Sequence, residues 1–335
     1  MNRRAATHLE AKQNIVERLR SGDRRAVARL ITWAEAGDPR FARALSMFYS
    51  SIGSAWRVGV TGPPGAGKST LVNELAIAHR AAQKTVGILA VDPSSPFTGG
   101  ALLGDRIRME DRTSDPGVFI RSMASRDSHG GLARAAIDAC DVMDAYGFDE
   151  VIVETVGVGQ AEYDVVSAAD TVLVVLCPGA GDGIQAMKSG LLEVADVLVV
   201  NKSDMPGADR LIVDLEEAVE LRSRKPAGEW TVPVVACSAG RGQGIDAVLA
   251  AVEAHRAHLA DGRLEARRGE MREGQVRRLV HEGLESELWH GHGYAERSAE
   301  ALESGAAPYD VAGEILAEIV GRLPGRGTTR TGAAT

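Results

Sequence analysis

The sequence has 335 residues, of which 44% are hydrophobic and 4% aromatic, and its formal net charge is -8. An acidic chain lacks the clustered Lys and Arg that nucleic-acid binding requires, so we expect no nucleic-acid partner. The apolar runs are far shorter than the ~18 residues that span a bilayer, and residues 1–20 lack the apolar segment of a secretory signal. We therefore expect no membrane partner and a cytoplasmic location. Cys140, Cys177 and Cys237 have no C-x-x-C spacing and are expected to be buried thiols.

The first predicted segment, residues 1–52, places apolar residues at helical spacing and is expected to be a helical N-terminal extension. The second segment, 53–252, contains short apolar runs separated by helical stretches. These strand-like runs are 57–61, 86–91, 117–120, 150–154, 171–176, 196–200 and 232–236. Short apolar strands alternating with helices predict an α/β fold with a doubly wound, mostly parallel sheet that binds ligands at the carboxyl ends of its strands.

The third segment, 253–324, returns to charged helical sequence and is expected to be a C-terminal dimerisation segment. Apolar positions recur there at helical spacing and need a surface to bury them, either in a homodimer or on the chain's own domain. They are Val276, Leu279, Val280, Leu284 and Leu288. The basic run Arg263–Arg278 is interleaved with glutamates, which favours a solvated helix face. Residues 325–335 are rich in Gly and Thr and are expected to be disordered.

The strongest motif follows the first strand and matches G-x-x-x-x-G-K-[ST], the phosphate-binding P-loop. Its residues are Gly62, Pro63, Pro64, Gly65, Ala66, Gly67, Lys68 and Ser69, followed by Thr70. The glycines let backbone N–H groups converge on a phosphate, and the N-terminus of the next helix adds partial positive charge. Lys68 is predicted to bridge the β- and γ-phosphates, and the Ser69 hydroxyl to bind Mg²⁺.

A second motif, N-K-x-D, follows the strand 196–200 and is similar to the guanine-recognition motif of GTPases. It consists of Asn201, Lys202 and Asp204. A carboxylate at Asp204 can accept hydrogen bonds from N1–H and the amino group of guanine, whereas adenine presents an acceptor there. The sequence Ser238, Ala239 and Gly240 also follows a strand and fits the loop that closes over the base. These residues predict binding of GTP or GDP.

The third motif ends the strand 150–154, where Glu154 and Gly157 stand in the place of the D-x-x-G of most GTPases. Gly157 is expected to offer its N–H to the γ-phosphate, and Lys68, Glu154 and Gly157 form the predicted catalytic set. Ras-like proteins have a water-orienting glutamine after this glycine, but the residue here is Val158. We therefore expect hydrolysis to be slow in the isolated protein and stimulated by a partner.

The predicted metal ligands are oxygen donors, which Mg²⁺ prefers. Asp92 ends the strand 86–91 and Asp105 lies in the loop after it, so both precede Glu154 along the chain. Together with Ser69 and Glu154 they are the expected Mg²⁺ partners, bound directly or through water. Turn formation or helix capping is the alternative role of each aspartate.

A glycine-rich loop, 178–188, leaves the strand 171–176 at the same end of the sheet. Its three glycines make it deformable, and Asp182, Gln185 and Lys188 place polar groups three residues apart as a helix begins. A simple strand-to-helix connection is the alternative to a signalling role for this loop.

Taken together, these strings resemble the methylmalonyl-CoA mutase-associated GTPases, the MeaB/ArgK family, over residues 10–290. The resemblance rests on G-P-P-G-A-G-K-S-T, A-V-D-P-S-S-P, G-D-R-I-R-M, F-I-R-S, V-E-T-V-G-V-G-Q, P-G-A-G-D-x-x-Q-x-x-K and N-K-S-D. It implies a GTPase chaperone that gates cofactor delivery to an adenosylcobalamin-dependent mutase and helps to protect or reactivate that enzyme. It also implies that the loop 178–188 is a switch that signals the partner's presence.

This resemblance has limits, and two other functions stay open. Residues 126–129, Arg-Asp-Ser-His, depart from the family's usual glycine before Gly130, and the match beyond residue 290 is weak. One alternative is a P-loop kinase or ATPase associated with arginine/ornithine transport, against which the N-K-x-D motif argues. The other is a GTP-dependent metal-insertion chaperone, against which the lack of a His-rich tract or Cys pair argues.

Overall fold

The computed structural model describes residues 15–92, 115–124, 129–155, 169–179, 191–222 and 229–322. Its contacts divide the chain into two compact units, Met1–Met271 and Arg272–Thr335. The boundary lies inside the segment 253–324, so the first unit contains the start of that segment. The sequence-based domain limits remain a prediction.

All seven predicted strands form, and they belong to one sheet. They are β1 (Trp56–Thr61), β2 (Val86–Asp92), β3 (Val118–Ala124), β4 (Glu150–Thr155), β5 (Thr171–Leu176), β6 (Val197–Val200) and β7 (Val234–Ala236). The strand order is β3-β2-β4-β1-β5-β6-β7, and every pairing among these strands is parallel. β2, β3 and β4 lie on one side of β1, and β5, β6 and β7 lie on the other. The predicted ligand site, at the carboxyl ends of the strands, therefore lies near the centre of the sheet.

The helices follow the strands as the predicted alternation requires. They are α1 (Arg24–Glu35), α2 (Pro39–Phe48), α3 (Lys68–Ala81), α4 (His129–Tyr146), α5 (Leu191–Val194), α6 (Ala208–Arg222), α7 (Ile245–His258), α8 (Arg263–Ser286), α9 (Tyr294–Glu303) and α10 (Pro308–Arg322). Residues 15–20 are also helical. Asp23 and Asp38 cap α1 and α2 by accepting a backbone N–H in the first turn, an interaction that stabilises a helix by about 1 kcal/mol.

Both faces of the sheet are buried, as its aliphatic strands predict. Every residue of β1, β4, β5 and β6 is buried, which is typical of a parallel sheet covered by helices on both sides. On one face α1, α2 and α4 share a core with β2, β3 and β4, in which Leu30 and Phe48 are fully buried. On the other face α3 and α7 pack through Leu71, Leu75 and Val248. Cys140, Cys177 and Cys237 are buried free thiols, as predicted.

The structure corrects the expectation that Arg263–Arg278 is only a solvated face. Arg268 forms a bidentate ion pair with the buried Asp170, to which its Nε and Nη2 donate at 2.8 and 2.6 Å. Arg267 forms a bidentate ion pair with Asp196, to which its Nη1 and Nη2 donate at 3.1 and 2.7 Å. Asp170 and Asp196 lie just before β5 and β6, at the amino edge of the sheet. The expectation was wrong for these two arginines because their carboxylate partners are about 70 to 100 residues away in sequence.

The second unit has a small core of its own. Tyr294, Val311 and Ile315 are buried in it, and Leu288 packs against them. Arg297 lies over the ring of Tyr294 and bonds Glu318 at 2.8 Å. None of the helices that the structure describes is long and apolar enough to cross a membrane.

Candidate nucleotide-binding site

The candidate site lies at the carboxyl edge of the sheet, where β1 runs between β4 and β5. Val60 of β1 is in register with Glu154 of β4, and Thr61 with Val174 of β5. The loop that leaves β1 therefore emerges between Glu154 and the end of β5. This central position explains how three motifs that are far apart in sequence meet at one edge.

The P-loop conformation depends on glycines at two positions. Gly62 has φ +143°, and a Cβ there would lie 2.0 Å from the carbonyl oxygen of Val175. Gly67 has φ +88°, and its Cβ would lie 2.4 Å from Nδ2 of Asn201. Any larger residue would therefore separate the loop from β5 or from the N-K-x-D motif. The helix α3 begins directly after this loop, at Lys68, so its free N–H groups face the loop.

Lys68 folds back onto the loop that carries it. Its Nζ donates to the carbonyl oxygens of Gly62, at 2.7 Å, and Pro63, at 3.0 Å, and the side chain is buried. Both acceptors are neutral carbonyls, and a charge-assisted bond to a phosphate oxygen is stronger. The Lys68 amine therefore lies within the P-loop, and a phosphate oxygen can replace the two carbonyl oxygens as its acceptor.

Two of the predicted metal ligands are in direct contact. The Ser69 hydroxyl donates to Glu154 Oε1 at 2.5 Å, although the residues are 85 positions apart. Glu154 is buried, and the pair offers a hydroxyl and a carboxylate, which suit Mg²⁺. Asp92 is the last residue of β2, the strand next to β4, and its backbone pairs with Ala124.

Asn201 joins the P-loop to the loop after β7. Its Nδ2 donates to the carbonyl oxygen of Ala66 at 2.8 Å, while its Oδ1 accepts from the backbone N–H of Ala239 at 3.0 Å. The neighbouring Lys202 reaches Gly65 O with its Nζ, at 2.7 Å. One buried amide therefore fixes the relative position of all three predicted nucleotide-binding segments.

Asp204 has one partner on each carboxylate oxygen. Oδ1 accepts a hydrogen bond from the Ser238 hydroxyl, and Oδ2 forms an ion pair with Arg241, whose Nη2 lies 2.9 Å away. The Ser238 hydrogen bond, assisted by the charge of Arg241, lowers the pKa of Asp204 below its usual value. The carboxylate is therefore ionised at neutral pH and able to accept two donors. The sequence analysis missed Arg241; its only signal is its place directly after S-A-G.

The remaining predicted residues are in part outside the described structure. Pro64 and Thr70 are exposed, and Gly240 lies in the short turn Ala239–Arg241. Asp105, Gly157, Asp182, Gln185 and Lys188 lie outside the described residues, and so does the side chain of Asp92. Their proposed roles rest on the sequence.

Comparison with known proteins gives the same picture. Residues 27–292 match the family model described as "Methylmalonyl Co-A mutase-associated GTPase MeaB". A protein from Pyrococcus abyssi is 46% identical over 315 residues, which cover 92% of this chain and 96% of that protein. The GTPase ArgK of Escherichia coli is 36% identical over 282 residues, covering 82% of this chain and 85% of that protein.

A solved structure titled "Crystal structure of LAO/AO transport system kinase" matches with a TM-score of 0.70 and 28% identity. The match covers 93% of this chain and 98% of that one. The P-loop, the N-K-x-D carboxylate and the family model, which spans most of the chain, lead to one conclusion. This chain belongs to the MeaB family of methylmalonyl-CoA mutase-associated P-loop GTPases, and it binds guanine nucleotide.

Proposed function

We propose that this chain is a GTP-hydrolysing chaperone and regulator of an adenosylcobalamin-dependent acyl-CoA mutase of the methylmalonyl-CoA type. It gates cofactor loading and protects or reactivates the enzyme. The observation that carries the nucleotide part is the Asn201 amide, which holds the P-loop and the base-closing loop together. The family description supports the mutase as partner.

The nucleotide is bound by three sets of residues at the sheet's carboxyl edge. The phosphates lie on the P-loop N–H groups and Lys68, whose bonds to Gly62 and Pro63 exchange for phosphate oxygens. Asp204 accepts N1–H and the amino group of guanine, and Ser238, Ala239 and Gly240 close over the base. Charge-assisted hydrogen bonds of this kind contribute about 1.5–3 kcal/mol each, which is enough to select guanine over adenine.

Ser69 and Glu154 suit a Mg²⁺ ion, because their oxygens are already adjacent. Asp92 and Asp105 complete the proposed set, directly or through water. A bound ion would supply positive charge beside the phosphates. The chain's own contribution is to fix the two oxygen donors against β1 and to exclude bulk water by burial.

The rate of hydrolysis is proposed to depend on the mutase. Val158 cannot orient water, and partners that supply missing groups accelerate P-loop GTPases by about 10³–10⁵-fold. The test is the GTP turnover of the purified protein with and without purified mutase. Stimulation by the mutase, together with its retention in a pull-down with GTP, supports the proposal. Fast turnover that the mutase does not change would contradict it.

The loop 178–188 is proposed to signal the partner's presence to the nucleotide site through Asp182, Gln185 and Lys188. Gln185→Ala and Lys188→Ala are expected to keep GTP affinity within about tenfold but to weaken mutase stimulation. The comparison is between intrinsic and stimulated turnover of each variant. Full stimulation in both variants would make the loop a simple connection.

A homodimer is proposed to form through α8. Val276, Leu279, Val280 and Leu284 share one face of this helix and are 59%, 45%, 55% and 54% exposed. An apolar stripe of this size is normally covered. Val280→Asp together with Leu284→Asp should convert the dimer to a monomer, as measured by light scattering. Val213→Asp, at another exposed apolar position in α6, is the control that should keep the dimer.

A second function deserves one measurement, because the solved structure with TM-score 0.70 is titled a transport system kinase. A kinase or ATPase of that kind would use ATP. The position of Asp204 beside Ser238 favours guanine. Calorimetry with GDP and ADP separates the two functions, and equal affinities would remove the guanine assignment.

A further inference from the structure

Arg241 is a charged residue at the guanine-recognition carboxylate to which no motif assigns a role. Its Nη2 lies 2.9 Å from Asp204 Oδ2 in an ion pair, while the Ser238 hydroxyl donates to Oδ1. Ser238 and Arg241 lie at the two ends of one short loop, the turn Ala239–Arg241 and the residue before it. Each oxygen of Asp204 therefore has its own partner from the loop that closes over the base.

The backbone of Arg241 is fixed although its side chain is exposed. The Arg241 N–H donates to Ser238 O at 2.9 Å, and Ser238 N–H donates to Gln243 O at 2.9 Å. Gly244 closes the loop tightly, since a Cβ there would lie 2.6 Å from the carbonyl oxygen of Ala236. The Arg241 side chain is 61% exposed and that of Asp204 24%. A guanidinium on a rigid turn thus reaches back to a half-buried carboxylate.

This pair adds little to folding stability. Exposed ion pairs contribute about 0–1 kcal/mol, because water and salt screen them. The same pair does restrict the Asp204 side chain, which must present both oxygens to N1–H and the amino group of guanine at once. A nucleotide binds more strongly when such a side chain is already ordered, because less conformational freedom is lost on binding.

The two loop partners leave room for the base. An ionised carboxylate has about four acceptor positions, of which Ser238 and Arg241 occupy at most two. Guanine needs two more, one on each oxygen. Arg241 and the base can therefore bind Asp204 together.

We propose that Arg241 is a positioning residue for guanine nucleotides, which holds Asp204 in the orientation that reads the base. This role rests on the proposed guanine site and deepens it. Arg241 acts on the base through the carboxylate, and its loss affects guanine nucleotides but not the phosphate end of the site.

The first experiment measures GDP affinity and dissociation rate for the wild-type protein, Arg241→Gln, Arg241→Lys and Arg210→Gln. Arg210 is the matched control, because it forms an exposed pair with Asp214 in α6 at 3.2 Å. Arg241→Gln should weaken GDP binding about threefold to tenfold, and Arg241→Lys should recover part of that loss. The control should bind like the wild type. A GDP affinity of Arg241→Gln that equals or exceeds that of the wild type would overturn the proposal. Arg241 would then have no effect on GDP binding or would compete with the base for Asp204.

The second experiment separates positioning from direct contact with the nucleotide. Arg241→Gln is introduced into an Asp204→Ala background, where it should cause no further loss of GDP affinity. Inorganic pyrophosphate should bind all variants equally. A full additional loss without Asp204, or weaker pyrophosphate binding, would overturn the proposed route through the carboxylate. The proposed guanine site itself is tested first, by wild-type preference for GDP over ADP, and its failure is visible before any variant is compared.

Discussion

The two edges of the central sheet use cationic side chains in opposite ways. At the carboxyl edge, Lys68 and Lys202 donate to carbonyl oxygens of the P-loop. At the amino edge, Arg57 and Arg268 are paired with buried carboxylates. A lysine that donates to neutral carbonyls can exchange those bonds for stronger ones to an anion. The charge of an arginine that is paired with carboxylates is already neutralised. This difference in partners distinguishes the carboxyl edge, which binds the ligand, from the amino edge, which stabilises the fold.

The amino edge contains a buried network of ion pairs and hydrogen bonds. Arg57 Nη2 donates to Asp141 at 2.7 Å and to Asp144 at 3.0 Å, and both carboxylates are fully buried. Asp144 also accepts backbone N–H bonds from Gly53 and Ala55, at 2.9 and 3.0 Å. These bonds fix the entry to β1 on α4, and β1 in turn carries the P-loop. These bonds therefore stabilise the start of the strand whose other end carries the P-loop.

Asp144→Ala should have the largest effect, because it removes one of the two carboxylates paired with the buried Arg57 and the acceptor of three backbone N–H groups. Breaking a buried ion pair costs about 3–5 kcal/mol, which urea unfolding measures. Asp214→Ala, which removes the exposed pair with Arg210, is the control and should cost at most about 1 kcal/mol. GDP affinity of the folded Asp144→Ala protein should match the wild type. If Asp144→Ala lowered the free energy of unfolding no more than the control does, the proposed distinction between the two edges would be wrong.

Lys68→Ala and Lys84→Ala compare one lysine from each edge. Lys68→Ala removes a charge aimed at the phosphates and should lower GTP turnover by about 10²–10³-fold. Lys84 bonds Glu150 at 2.8 Å, and Glu150 is 1% exposed, so Lys84→Ala should lower stability and leave turnover unchanged. Single-turnover hydrolysis and urea unfolding are measured on both. Equal effects on turnover would contradict the comparison.

Asp204→Asn tests the base-reading part of the carboxyl edge. The amide cannot accept both guanine donors, so GTP affinity should fall by the equivalent of about 1.5–3 kcal/mol. The amide can donate to the second oxo group of xanthine, so affinity for xanthosine triphosphate should rise. Calorimetry with both nucleotides is the measurement. A variant that binds GTP as well as the wild type would place the base elsewhere.

The smallest predicted effect is a pH dependence at the amino edge. His79 lies in the last turn of α3, where burial and the charge of Lys84 lower its pKa from 6.5 to about 4. The unfolded chain binds this proton below pH 6.5 and the folded chain does not, so stability falls from pH 6.5 towards pH 4. The loss between pH 6 and pH 5 should be about 1 kcal/mol. Urea unfolding of wild type and His79→Gln checks this, and equal slopes would mean that His79 is not the group responsible.

The location of the strands and the identity of the nucleotide motifs were predictable from the sequence. The first strand was predicted at 57–61 and observed at Trp56–Thr61, and the last at 232–236 and observed at Val234–Ala236. Aliphatic runs bounded by turn residues carry that information locally. The P-loop was equally predictable, because its motif is a contiguous run of residues with a fixed spacing.

Only the tertiary structure decided which side chains meet. Arg241 at Asp204, Ser69 at Glu154, and Arg267 and Arg268 at their aspartates are pairs between distant segments. A basic residue on a helix has the same sequence pattern whether water or a carboxylate faces it. The sequence alone determined the strands, the P-loop and the guanine motif, since these depend on local chemistry. The packing of the whole sheet sets the order of its strands, and this order brings the nucleotide motifs together at the carboxyl edge and the ion pairs of Arg57 and Arg268 at the amino edge.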